Sequence, residues 1–289
     1  MNPTRRPHTV PASYLKFWDR DRDHSRGRDS IIYINDGTKC RFDKVSNISI
    51  RRKYYSTVNP NAAESFFSVI EDDYARFVNT IITTGTVPKG LAATLSLINF
   101  IISLLARNPT FEHKFKTDER IENVKIAQKE WRRHFLFDLG SKGENVDYRA
   151  VNELWGLMIV GTPTADFVTS DNPVAVITIS ELKYDMYILP VSPNYVGLVY
   201  KKAKIKNPKD FTFAEATVRD IERLNSLQAM NANRENYANT VFSDEEIASL
   251  AKLKAKTASR DNFIDEKLMR LEPFQIPDKP DFFSFISVK

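Results

Sequence analysis

The spacing of apolar positions predicts a chain of helices interrupted by two separate blocks of strands. Near the start, Pro11 is placed to open a short helix, because proline suits the first helical position. Its apolar residues would dock onto a core, and they are Tyr14, Leu15, Phe17 and Trp18. The run from Asp19 to Asp29 alternates in charge, so it is expected to be a solvated, mobile loop.

Two short apolar runs next to this loop predict a β-hairpin. They are 31–34 and 39–42, and Asp36-Gly37 lies between them. Gly37 supplies the positive φ that a tight hairpin turn requires.

Helical spacing returns after Asn59-Pro60, a capping side chain followed by a proline at the first helical position. This helix is predicted to run to about residue 83. Its apolar stripe consists of Phe67, Ile70, Tyr74, Phe77, Val78 and Ile81. A second, more apolar helix is predicted over residues 89–107, and a long amphipathic helix from Thr110 to Gly140.

The second half of the chain is predicted to begin with a helix over residues 147–160. Its apolar residues recur at helical spacing, namely Val151, Leu154, Trp155 and Met158. Strand-like runs within residues 166–201 predict a β-meander of three or four strands. Two capping boxes then predict two helices: Thr212-x-x-Glu215 for a helix that ends near Asn239, and Ser243-x-x-Glu246 for residues 244–258.

Together these elements predict an α+β fold, with a mainly helical body, an N-terminal β-hairpin and a small antiparallel sheet. Because 42% of the 289 residues are hydrophobic, one domain over residues 1–289 can bury a sizeable core. The proline-containing tail, residues 273–289, is expected to be extended and to pack on this body.

Composition and charge bear on the cellular compartment of the protein and on the partners it could bind. Cys40 is the single cysteine, which excludes an internal disulfide, and with no signal peptide evident we expect a cytoplasmic protein. The net charge of +5 permits nucleic acid as a partner without demanding it. The apolar run from Leu91 to Ala106 contains four polar residues and is shorter than the roughly 20 residues of a membrane span, so no membrane partner is expected.

Asp171 is the first candidate for chemistry. It lies in Ser170-Asp171-Asn172-Pro173, where four turn-forming residue types follow a short strand. Its carboxylate fits two roles: capping the turn by accepting nearby backbone amides, or acting as a reactive group. Asn172 beside it is a candidate for substrate binding.

Further candidates lie on other elements. Glu64 and Glu71 are seven residues apart, which places both carboxylates on one helix face. Arg107 ends the apolar helix, and His8 precedes the first helix. Downstream of the hairpin, three basic residues are followed by two tyrosines, a combination that could bind nucleic acid or in which the tyrosines pack under a loop: Arg51, Arg52, Lys53, Tyr54 and Tyr55.

An ordered set of these motifs resembles the bacterial family known as domain of unknown function 4238. The resemblance covers about residues 7–243, although Thr9 stands where the family commonly has an aromatic residue. It implies no settled activity. The motifs are His8-x-x-Pro11 with Tyr14-Leu15, Arg107-Asn108-Pro109, Phe167-x-Thr169-Ser170-Asp171-Asn172-Pro173, Leu189-Pro190-x-Ser192-Pro193, and Asn225 and Asn231 before Val241-Phe242-Ser243.

Two functions fit these residues. In the first, the protein is a nuclease or other phosphodiester hydrolase of bacterial defence or toxin type. Its metal ligands would be Glu64, Glu71 and Asp171 around Mg²⁺ or Mn²⁺, with no organic cofactor. His8 would be its acid or base and Arg107 its phosphate clamp.

The second function is that of a non-enzymatic module that binds nucleic acid or protein, in which Arg107, Glu71 and Asp171 form a structural ion-pair network. The oligomeric state stays open.

Overall fold

The part of the chain that the structure, a computed structural model, describes contains three sheets and five α-helices. That part is residues 8–50, 60–108, 153–164, 166–178, 186–206, 208, 210–232, 234–258, 274–275 and 287–288. The helices are α1 (Ala12–Leu15), α2 (Pro60–Thr84), α3 (Leu91–Arg107), α4 (Val218–Asn231) and α5 (Asp244–Ala258). Short 3₁₀ turns lie at Lys16–Trp18, His24–Asp29, Val45–Asn47 and Lys202–Lys204.

The strands, in chain order, are β1 (Ile31–Asn35), β2 (Cys40–Lys44), β3 (Trp155–Gly161), β4 (Thr169–Ser170), β5 (Ala175–Thr178), β6 (Met186–Ser192), β7 (Tyr195–Lys201), β8 (Ile205–Lys206), β9 (Thr212–Glu215), β10 (Asn236–Ala238), β11 (Phe274–Gln275) and β12 (Ser287–Val288). They form a six-stranded sheet in the order β11-β5-β6-β7-β3-β9 and a four-stranded sheet in the order β2-β1-β10-β4. Strands β8 and β12 pair separately.

The six-stranded sheet is buried on both faces. One face contributes Trp155, Leu157 and Ile159 to a core shared with α1, α2 and α3. The opposite face contributes Met158 and Val160 to a second core, together with side chains of α4. Strands covered on both sides carry apolar residues at nearly every position, rather than at alternate ones.

The α+β class is confirmed, but the main sheet is larger than the small antiparallel sheet that the sequence predicts. It has six strands, and β9 and β11 run parallel to their neighbours β3 and β5. The predicted hairpin is present as β1 and β2, with Gly37 at φ 84°. It is the edge of the four-stranded sheet rather than a separate unit, because β1 also pairs with β10.

The predicted helix over residues 147–160 is wrong from Trp155 onward, where the chain is strand β3. The run Trp155–Gly161 is apolar at every position, so helical and strand periods match it equally. Gly156 is the residue that fits only the strand. It lies opposite Tyr200 on β7, whose ring occupies the space of a side chain.

The first predicted capping box is also wrong. Residues Thr212–Glu215 form strand β9 beside β3. The helix begins five residues later, where Thr217 and Asp220 cap each other reciprocally. It ends at Asn231, before strand β10, and not near Asn239. The second capping box is confirmed, since Ser243 and Glu246 exchange hydrogen bonds at the start of α5.

The other predicted helices agree with α1, α2 and α3, and the helix predicted from Thr110 to Gly140 lies outside the described residues. In the charged run, Asp19 is fully buried, which differs from a wholly solvated loop. Its carboxylate accepts the backbone N–H groups of Asp21, Asp23 and Ile31. No helix among the residues described is both long and apolar enough to cross a bilayer.

We predict that Gly156→Ala lowers the free energy of unfolding by about 1–3 kcal/mol, the usual cost of overpacking. An added Cβ would lie 2.4 Å from Cζ of Tyr200 and 2.6 Å from Oδ1 of Asp210. Gly161→Ala on the same strand is the matched control, because its nearest contact is 3.2 Å. Urea unfolding of both variants measures the difference, and equal losses would contradict the packing explanation.

Candidate functional site

An ion pair between a buried arginine and a partly exposed glutamate joins the end of α3 to α2. Nη2 of Arg107 donates to Oε1 of Glu71 at 2.6 Å, and Oγ of Ser13 on α1 donates to Oε2 of Glu71, also at 2.6 Å. The guanidinium carbon of Arg107 lies 3.7 Å from the centre of the Phe67 ring. Because only 3% of the Arg107 side chain is exposed, its charge depends on Glu71 for compensation.

Helical geometry explains why these two residues meet. Glu71 lies four residues after Phe67 and three before Tyr74, both of which are buried, so its side chain leaves α2 at the edge of the core. Arg107 is the last residue of α3, where a cation is favourable near the exposed carbonyl groups of the helix end. Packing of α2 against α3 then brings the charges together.

Asn108 extends this pair to the Ser170–Pro173 turn. Its Nδ2 donates to Oδ1 of Asn172 at 2.6 Å. Nδ2 of Asn172 donates to the carbonyl of Asn231 at the end of α4, and Nδ2 of Asn231 donates back to the carbonyl of Asn172. Asn172, predicted to bind substrate, is thus 7% exposed, with both ends of its amide hydrogen-bonded inside the protein.

The carboxylate of Asp171 accepts a backbone amide from a segment outside the Ser170–Pro173 turn. Its Oδ2 accepts the backbone N–H of Arg234 at 2.9 Å, and its own N–H donates to the carbonyl of Glu235. Within the turn, Oγ of Ser170 accepts the N–H of Asn172. Asp171 therefore fastens the turn to the segment that precedes β10, and its side chain is partly exposed.

A chain of hydrogen bonds runs beside Asp171. Oγ of Ser49 and the hydroxyl of Tyr237 are 2.9 Å apart, and Tyr237 donates to Oε2 of Glu235 at 3.1 Å. Nη2 of Arg41 donates to the other carboxylate oxygen of Glu235 at 2.6 Å. Burial raises the pKa of Tyr237 well above its ordinary value, and the negative charges of Asp171 and Glu235 add to this rise. Tyr237 therefore stays protonated and acts as a donor.

His8 lies against the segment that contains Ser49. Its Nδ1 is 2.9 Å from the carbonyl of Ile48, so Nδ1 carries a proton and the neutral ring has its lone pair on Nε2. Burial lowers the pKa of His8 from 6.5, and the positive charges of Arg28 and Arg107 lower it further. The Ile48 carbonyl and the charge of Glu71 oppose this effect only in part.

The structure brings some of the predicted site residues together, connects others to them through Asn108, and does not describe the side chains of the rest. His8, Glu71 and Arg107 lie close enough for their charges to interact, and Asn108 links them to the turn that carries Asp171 and Asn172. Glu64 lies on α2, but its side chain is outside the described residues, as are Arg51, Arg52 and Lys53. Three contributors were not predicted, namely Ser13, Asn108 and Tyr237. Asn108 directly follows Arg107 in a motif already noted, which is the one signal that pointed to it.

The described residues contain no cluster of three or more His, Cys, Asp or Glu side chains arranged to hold a metal ion. Glu71 binds Ser13 through one carboxylate oxygen and Arg107 through the other. For chemistry, this arrangement provides the neutral imidazole of His8 near an ion pair in which Glu71 compensates the charge of Arg107.

We predict that Glu71→Gln lowers the free energy of unfolding by about 3–5 kcal/mol, because it leaves the Arg107 cation buried without its carboxylate. The double variant Glu71→Gln/Arg107→Met should recover part of this loss, since both charges are then absent. Asp73→Asn is the control, because Asp73 pairs with Arg76 on the exposed side of the same helix and should cost less than about 1 kcal/mol. A double variant less stable than Glu71→Gln, in chemical denaturation, would contradict a charge-compensating role.

Comparison of the sequence with models of known protein families identifies one family that matches the chain. The sequence model of a family described as "Protein of unknown function (DUF4238)" matches residues 6–242 of the chain. Neither a curated protein nor a solved structure matches the chain significantly.

Proposed function

The chain belongs to the DUF4238 family, and from the geometry of its own residues we propose that it is a phosphodiester hydrolase with His8 as general base. The observation that carries this proposal is the state of the His8 ring. A general base must be unprotonated near neutral pH and must hold its lone pair towards the reacting group. The lowered pKa of His8 meets the first condition, and the Nδ1 hydrogen bond to Ile48 leaves Nε2 for the second.

The ion pair supports this base by position. Ser13 holds Glu71 and the Phe67 ring packs against Arg107, so the charges of the pair act on His8 from fixed positions. With 3% exposure, Arg107 acts in this proposal as a positioning residue rather than as the phosphate clamp that the sequence suggested. Asp171, partly exposed beside the Tyr237 hydroxyl, is the second acid–base group.

The substrate class is proposed from charge. A phosphodiester is anionic, and Arg28 contributes a positive charge near His8. The net charge of +5 and the basic residues 51–53 fit nucleic acid as the phosphodiester, which is the substrate of nucleases in bacterial defence and toxin systems.

A second candidate function is supported by a different observation. Glu71 compensates the charge of the buried Arg107, which is what a purely structural network requires. In that case the protein is a binding module for nucleic acid or protein, and His8 only joins the first residues to the Ile48–Ile50 segment.

Substitution of His8 separates these two functions. We predict that His8→Asn lowers the rate of phosphodiester cleavage by about 10²–10⁴-fold, the usual contribution of a general base. The melting temperature should be nearly unchanged, because the asparagine Nδ2 can replace Nδ1 as donor to Ile48. The measurement uses labelled single-stranded and double-stranded DNA and RNA, with and without Mg²⁺.

His24→Asn is the matched control, because His24 also holds a backbone carbonyl, that of Lys16, through Nδ1. It should keep full activity. In the wild-type protein kcat/KM should rise with pH through a limb centred below 6.5 and then level off, because His8 must be unprotonated. Cleavage by His8→Asn at the wild-type rate, or no cleavage of any of these substrates by the wild-type protein, would favour the binding module.

The melting temperature of the protein tests whether it binds a metal ion. If Asp171 and Glu64 or Glu71 bind Mg²⁺ or Mn²⁺ in the folded state, we predict that millimolar metal raises the melting temperature, because ligands of the native state stabilise it. Asp171→Asn should abolish the rise. The same rise in the Asp171→Asn variant would place the metal elsewhere, and no rise in the wild-type protein would count against a metal-dependent nuclease.

A further inference from the structure

A groove separate from the His8 site lies between α4, α5 and the segments around β4 and β10. Its cavity has a volume of about 320 Å³. Residues 166–168, Ala238 and residues 240–242 line it, together with Val218, Ile221, Glu222 and Asn225 of α4 and Glu246 of α5. None of the residues proposed for catalysis lines this cavity.

The floor and rim of the groove are apolar. Phe167, Val168 and Phe242 are buried beneath it. At its rim, 73% of Val218 and 63% of Val241 are exposed, the two highest values among the large hydrophobic residues described as exposed. Apolar side chains exposed beside a cavity are typical of surfaces that another molecule covers.

The charge of the groove is opposite to that of the whole chain. Among the residues that the structure describes, the lining includes Asp166, Glu222 and Glu246 and no lysine, arginine or histidine, whereas the chain carries a net charge of +5. The groove therefore attracts a cation, and its apolar floor requires that the cation be attached to an apolar group.

Hydrogen bonds hold the groove in shape. Oδ1 of Asn225 accepts the N–H of Val168 at 3.1 Å, and its Nδ2 donates to the carbonyl of Asp166 at 2.8 Å. Glu246 accepts the N–H and Oγ–H of Ser243 and so keeps its place at the start of α5. A preformed surface loses little conformational entropy when a partner binds.

We propose that this groove docks a peptide segment of a partner protein, in which one large apolar side chain is flanked by lysine or arginine. The apolar side chain fills the cavity, and the flanking cations lie beside Asp166, Glu222 and Glu246. A small molecule confined to the cavity would leave Val218 and Val241 exposed, whereas an extended segment covers them. Charge complementarity excludes an acidic segment.

The test uses a set of labelled octapeptides with Leu, Ile, Phe or Trp at the centre and Lys or Arg on both sides. Fluorescence anisotropy measures their binding to the full chain, and peptides with Glu in place of the basic residues are the negative set. We expect at least one basic peptide to bind with a Kd below about 100 µM, and no acidic peptide to bind.

Two variants then locate the binding. Glu222→Lys should weaken the best peptide about fivefold or more, because it reverses one charge at the rim. Val241→Ser should weaken it by a similar factor through lost apolar contact. Glu245→Lys is the matched control, since Glu245 is an exposed residue of α5 that does not line the cavity, and it should bind as the wild-type protein does.

Equal weakening by Glu222→Lys and Glu245→Lys would mean non-specific attraction and would overturn the proposal, as would the absence of binding by every basic peptide. Concentration-dependent self-association in analytical ultracentrifugation that Val241→Ser abolishes would replace the peptide with a second copy of the chain. The His8→Asn variant should bind the peptide unchanged, so failure of the catalytic proposal leaves this one standing.

Discussion

The Glu71–Arg107 ion pair is the interaction on which the arrangement of the candidate site depends. It lies where α1, α2 and α3 meet, since Ser13, Glu71 and Arg107 come one from each helix. A cation that is 97% removed from solvent must have its carboxylate in place, so the relative position of α2 and α3 is fixed. Through Asn108 and Asn172 the same constraint reaches the 170–173 turn and the end of α4.

That constraint changes the roles of the candidate residues. Arg107 and Asn172 are occupied within the protein and hold other groups in place. Asp171 ties the turn to residues 234–235 and remains at the surface. In the proposed function His8 is the general base, because its pKa is lowered and the hydrogen bond of its Nδ1 defines the tautomer. The hydrogen-bonded series of Ser49, Tyr237, Glu235 and Arg41 joins the segment that binds His8 to β10 and β2.

The sequence correctly predicts those parts of the fold that are determined by residues close to one another in the chain. The Asp36-Gly37 turn, the proline at the start of α2 and the Ser243–Glu246 cap act within a few residues, and each lies where the sequence places it. Strand β3 was misassigned because both of its faces are covered by packing that the sequence does not display. Thr217 was missed as the helix cap because Thr212 offers the same spacing, and only pairing with β3 makes 212–215 a strand. The contacts of the candidate site could not be predicted for a related reason, because they join residues that are far apart in sequence. The partners of Ser13, Asn108 and Tyr237 are 58, 64 and 188 residues away.

The central claim is that His8 is a neutral base whose lone pair lies on Nε2, and its ring can be observed directly. Nuclear magnetic resonance of the ¹⁵N-labelled imidazole, followed against pH, reports both the pKa and the tautomer. We expect a midpoint below 6.5 and a proton on Nδ1 above it. A midpoint at or above 6.5, or a neutral ring protonated on Nε2, would contradict the account.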